Sequence, residues 1–91
     1  MSESINVEQA FLQAQQEIKK LTKKPDDYSL LKLYALFKQA SVGDVGGSRP
    51  GLLNMVARAK YDAWAALSGK STEAAQQEYI ELVSALQKKF A

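Results

Sequence analysis

Leu30, Tyr34 and Phe37 stand four and three residues apart, and Leu31, Tyr34 and Lys38 three and four apart. Those are helical steps, so the five side chains share one broad face. Along it the chemistry runs from aliphatic through aromatic to cationic. A ligand with a hydrocarbon end, a flat ring and a phosphate would match that gradient. The same residues also read as packed leucines and rings with Lys38 reaching out to water. On composition alone that packing reading is the stronger. Lys60 and Trp64, four apart, repeat the pairing of cation and ring, and a solvated lysine over a half-buried indole also accounts for them. Lys19, Lys20, Lys23 and Lys24 could meet phosphates, although a solvated helix end is the simpler account. Tyr79 falls on an apolar stripe and reads as a core tyrosine with its hydroxyl at the surface.

Other chemistries are excluded by what is missing. The 91 residues include no His and no Cys, which removes thiolate and imidazole nucleophiles, imidazole bases, disulfides and nearly every soft metal site. Asp26 and Asp27 are adjacent and suit helix capping better than a carboxylate dyad. The glycines between Gly43 and Gly51 lack the spacing of a phosphate-binding loop, and no Gly-Lys-Ser/Thr follows them. Glu73, Glu78 and Glu81 are scattered over a helix surface. A binding or interaction protein is therefore a better expectation than an enzyme.

Apolar residues make up 46% and charged residues 24%, an ordinary globular balance for one small domain spanning residues 1–91. The net charge of +2 falls short of a nucleic-acid footprint. No apolar run approaches the roughly 18 residues that a membrane span requires, so no stable membrane insertion is expected. Met1 to Ser4 are polar and acidic rather than signal-like, and a cysteine-free chain of this kind fits the cytoplasm.

Four helices must position these side chains. In the first, Val7, Phe11, Ala14, Ile18 and Leu21 form one face, with Asn6 as N-cap at capping-box spacing from Gln9. The lysines from Lys19 onward sit at its far end, and Pro25 closes the connection. Asp26 and Asp27 open a second helix whose apolar residues exceed one stripe, so it is buried on two sides or lends one side to something else. After the long glycine-rich loop, a third helix capped by Asn54 runs to Ser68, with Gly69 as its stop. It carries Val56, Ala59, Ala63, Trp64 and Leu67. Ser71 caps a fourth, with Ala75, Tyr79, Leu82, Leu86 and Phe90 as its stripe. The fold class is all-α, one four-helix bundle.

Several blocks of this chain occur together in a known family. They are Lys23-Lys24-Pro25, the run from Leu33 to Ala40 with its Phe37-Lys38-Gln39-Ala40 end, Val42-Gly43-Asp44, Arg49-Pro50-Gly51, and Lys60-Tyr61-Asp62-Ala63-Trp64. In this combination and over nearly its whole length, the chain resembles the acyl-CoA-binding protein family. The resemblance implies an up-down-down-up four-helix domain that binds fatty acyl-CoA without chemistry and needs no cofactor. It implies that Phe37 stacks on the adenine and that Tyr34, Lys38 and Lys60 hold the ribose 3′-phosphate. Lys19 and Tyr79 would also contact the nucleotide end, and Ala35 and Leu36 belong to the same implied ligand-binding block. Leu30 and Leu31 would lie along the acyl chain, with Pro25 near its entry.

The chain departs from the family pattern at four places. Phe37 stands where many members have Tyr, Tyr61 where Trp is usual, Val56 where some have Lys, and Gln15 where a small residue is common. None removes the set of Tyr34, Lys38 and Lys60. The expectation is a monomeric cytoplasmic carrier of medium- to long-chain acyl-CoA, in transient contact with acyl-CoA-using enzymes. Two alternatives remain: a helical interaction module using the apolar second helix, and a remnant of an acyl-CoA enzyme.

Overall fold

Helix caps set the architecture before packing does. A computed structural model describes residues 6–90, so Met1 to Ser4, at the polar start, lie outside the described residues. Helix α1 spans Val7–Ile18, and the Asn6 side chain accepts a hydrogen bond from the Gln9 N–H at 2.8 Å. Helix α2 spans Asp27–Ser41, with the Asp26 carboxylate accepting from Ser29 N–H. Helix α4 spans Thr72–Lys89, with the Ser71 hydroxyl accepting from Ala74 N–H at 3.0 Å. Each cap satisfies a backbone donor that the first turn would otherwise leave unpaired.

Helix α3 spans Met55–Ala65 and differs at both ends from the sequence expectation. Asn54 makes no side-chain cap bond, because its backbone (φ −100°, ψ 66°) is not extended as in the other caps. The helix also stops before Ser68. The Leu67 and Ser68 N–H groups bond three residues back, to Trp64 and Ala65, so the last turn tightens out of α geometry. Gly69, at φ +91°, then makes the turn that L residues with side chains resist. The lysines after α1 are displaced too: Lys19 is its C-cap and the others follow in the turn, so the last helical turn holds no cation.

Helix α4 lies against both α1 and α2, whereas α3 packs on α2. The core consists of Phe11 and Ala14 from α1, Leu33, Leu36 and Ala40 from α2, and Ala75, Tyr79, Val83 and Leu86 from α4. On α4 the stripe runs through Val83, not Leu82, which is only half-buried. A helix wedged between two neighbours needs a stripe wider than one row. Helix α3 contributes no fully buried residue. On α2, Leu33, Leu36 and Ala40 face the core, while Leu30, Leu31 and Tyr34 stay half-buried on the side facing α3. Among the described residues no helix is long and apolar enough to cross a membrane.

Candidate ligand-binding site

Because α3 attaches to the bundle on one side only, a groove of about 380 Å³ opens between it and α2. Leu30, Leu31 and Tyr34 line one wall; Val56, Ala59 and Lys60 line the other. The second wall is a helical face at steps of three and four, and small Ala59 leaves the space that a longer side chain would fill. Asp27 stands on the rim at the start of α2.

The cations cross between helices. Lys60 Nζ lies 5.3 Å from the centroid of the Tyr34 ring, and Lys38 Nζ lies 5.0 Å from that of Trp64. The intrahelical pairing of Lys60 with Trp64 suggested by the sequence is thus replaced by two pairings across the α2–α3 interface. Both ammonium groups rest on negative ring faces. The ion pairs among the described residues are Arg49–Asp62 and Lys70–Glu78, so neither Lys38 nor Lys60 is neutralised by a carboxylate.

Phe37 is 37% exposed and leans on Phe11, with ring centroids 6.2 Å apart. Phe11 in turn meets Tyr79 edge-on at 5.1 Å. Tyr79 is buried, and that burial raises its phenol above the usual range. It therefore supports Phe37 from behind, through Phe11. Ala35 and Leu36, expected among the ligand contacts, are 2% and 0% exposed, with their side chains turned inward. Leu36 belongs to the core shared with α1 and α4, whereas Ala35 lies one turn from Leu31 and lines with it a small cleft toward Ala63 and Leu67. Lys19 is exposed at the C-cap of α1, and Pro25 is half-buried before α2; neither lines the α2–α3 groove. Gln15 is half-buried on α1 and does not line the groove either.

A polar cluster fixes the interface behind the groove. Gln39, fully buried on α2, donates from Nε2 to Asp44 and to the Lys70 carbonyl, both at 2.8 Å. Its Oε1 accepts from Trp64 Nε1 at 3.1 Å, and that indole N–H also reaches the Gly43 carbonyl at 2.8 Å. Asp44 accepts from Gly69 N–H at 2.8 Å. That backbone donor, and next the Gln39 amide, hold the Asp44 carboxyl below the usual carboxylate range. Tyr61 donates to the Gly47 carbonyl at 3.0 Å, and Arg49 makes a two-point contact with Asp62 at 2.8 and 2.6 Å. The Arg49 contact lowers the Asp62 pKa. Thus Gln39 and Trp64 set the ring on which Lys38 rests. In the sequence Gln39 stands out only as part of the shared block, and the signal for its role is an amide within the inward-facing run of Leu33, Leu36 and Ala40.

Comparison with known proteins identifies the family and the fold. A family model described as acyl CoA binding protein matches residues 8–83. The acyl-CoA-binding protein homolog of Drosophila melanogaster is 53% identical over 85 residues, covering 93% of this chain and 99% of that protein. The acyl-CoA-binding protein of Brassica napus is 46% identical over 82 residues, covering 90% and 89%. The crystal structure of Oryza sativa acyl-CoA-binding protein 2 superposes with a TM-score of 0.87 at 38% identity, covering 92% of this chain and 93% of the other. The four-helix fold implied by the resemblance is borne out, and the chain belongs to the acyl-CoA-binding protein family.

Proposed function

We propose that this protein binds medium- to long-chain fatty acyl-CoA in the α2–α3 groove and carries it without transforming it. The observation that carries this reading is the pair of cations, Lys38 and Lys60, resting un-neutralised on rings at one side of an aliphatic groove. Hydrocarbon would lie along Leu30, Leu31, Val56 and Ala59. The 3′-phosphate would be held by Lys38, Lys60 and the Tyr34 hydroxyl through charge-assisted hydrogen bonds. Adenine would stack on the exposed face of Phe37, where an aromatic platform contributes about 1–3 kcal/mol by analogy with base stacking. Lys19 would add a peripheral contact to the nucleotide end.

The domain occupies residues 1–91, acts as a monomer in the cytoplasm, and hands ligand to acyl-CoA-using enzymes by transient contact. It performs no reaction and requires no cofactor. Calorimetric titration with palmitoyl-CoA, octanoyl-CoA, free CoA and palmitate tests the assignment. Each buried methylene adds up to ~0.8 kcal/mol, so affinity should rise with chain length from free CoA to palmitoyl-CoA. Palmitate binding as tightly as palmitoyl-CoA would refute the headgroup assignment. Failure of every thioester to bind below about 10 µM, roughly 7 kcal/mol of affinity, would refute the carrier.

A further inference from the structure

Among the described residues, Leu31 alone lines both the α2–α3 groove and a second hollow beside it. The groove measures about 380 Å³ and the second hollow, a cleft, about 260 Å³. The cleft is walled by Ala35 on α2 and by Ala63, Ala66 and Leu67 where α3 ends. Exposed Tyr28 and Lys32 complete its lining. On α3 the two spaces are bordered by Ala59 and Ala63, one helical turn apart, and each brings a single methyl group. The partition between groove and cleft is therefore built from the Leu31 side chain. That side chain is half-buried and stands outside the core cluster.

The order of chemistry along α2 gives a bound tail its direction. Lys38 is seven residues from Leu31, about 10 Å along the helix axis. A phosphate held at Lys38 and Lys60 leaves hydrocarbon to run toward the start of α2, where Leu30 and Leu31 lie. We infer that Leu31 is the stop that sets the acyl chain length this protein takes, and that the cleft beyond it is the space a longer tail occupies once the stop is removed. The inference rests on the acyl-CoA reading of the groove. Volume supports it. At about 30 Å³ for a group the size of a water or a methylene, the groove holds about twelve such groups and the cleft about eight. A palmitoyl tail thus fills the groove, and a much longer one runs against Leu31 or out into water. A methylene gains up to about fourfold in affinity only while apolar walls cover it, so the gain ends at the stop. Ala35, Ala63 and Ala66 keep the cleft open, since a longer side chain at any of them would occupy it.

The experiment is calorimetric titration with octanoyl-, lauroyl-, palmitoyl-, arachidoyl- and lignoceroyl-CoA, each below its micellar concentration. Wild-type affinity should rise as far as palmitoyl-CoA and gain nothing beyond it. Leu31→Ala should bind the two shortest ligands about threefold or more weakly, yet bind lignoceroyl-CoA about tenfold or more tightly than palmitoyl-CoA. Ala66→Leu, which fills the cleft, should leave the wild-type series unchanged and abolish the long-chain gain when added to Leu31→Ala. Helical circular dichroism should be the same throughout, because neither residue belongs to the core. Leu31→Val, a smaller truncation, should show the same shift at lower amplitude and replaces the alanine variant if that one loses helical content. The same chain-length profile in wild type and Leu31→Ala, even at uniformly lower affinity, would overturn the stop. So would a continued rise beyond palmitoyl-CoA in wild type, or weaker wild-type binding of the longest ligands after Ala66→Leu, since the tail would then already pass Leu31. Absence of binding by every thioester would instead refute the groove reading, and the inference with it.

Discussion

Lys38 and Lys60 sit on different helices, yet each lies over a ring contributed by the other helix. Holding a long side chain against an aromatic face restricts it before ligand arrives, which lowers the ordering cost of binding. The contact is weak enough at a partly exposed site to yield to a phosphate. Replacing either lysine by alanine is expected to weaken palmitoyl-CoA binding by about 1.5–3 kcal/mol, the range for a hydrogen bond to a charged group. Helical content should stay unchanged, because neither ammonium takes part in an ion pair of the fold. Titration calorimetry at two salt concentrations checks this; wild-type affinity in both variants would place the phosphate elsewhere. The helical steps made Leu30, Leu31, Tyr34 and Lys38 legible as one face. The cross-helix pairing was not legible, because periodicity orders side chains around one axis and is silent about the neighbouring helix. Leu36 shows the converse limit: it stands in the same block as Tyr34 and Phe37 yet turns into the core.

At the level of elements, the cap chemistry was readable at Asn6, Asp26 and Ser71 because one local hydrogen bond decides it. Asn54 failed as a cap because the turn at Leu52–Leu53 imposes the backbone angles there, a constraint from outside the helix. The glycine-rich loop is the element whose behaviour the sequence left most open. A loop of this length is suited to function or to mobility, and here Asp44, Gly43, Gly47 and Arg49 each bond to groups on other elements. Asp44 gives this anchoring a pH dependence. Its folded pKa lies below the ordinary carboxylate range, so its contribution to stability is present at neutral pH and is lost as pH falls through the folded pKa. The urea midpoint should therefore decline on acidification below the ordinary carboxylate range. Asp44→Asn should show a smaller decline and lower stability at neutral pH. An identical acid dependence in the variant would mean that other carboxylates, such as Asp62 or Asp26, carry the effect.

For the molecule as a whole, the absence of His and Cys bears on what it would carry. A thioester is open to attack by a thiolate, which would expel CoA and leave the acyl group on sulfur. Within a groove, proximity would raise the rate of that attack well above its value in solution. A carrier with no thiol or imidazole anywhere therefore leaves its cargo intact however the ligand shifts along the groove. Ala59 lines the groove beside Lys60, whereas Ser84 lies exposed on α4 and away from it. Ala59→Cys incubated with palmitoyl-CoA should gain the mass of one acyl group and release one CoA thiol. Ser84→Cys should react only at the rate of a free thiol, and wild type not at all. Intact-mass measurement over time separates the three. Equal rates for the two cysteine variants would show either that the thioester does not reach the Ala59 segment or that the groove gives no protection, and would remove this reason for the missing residues.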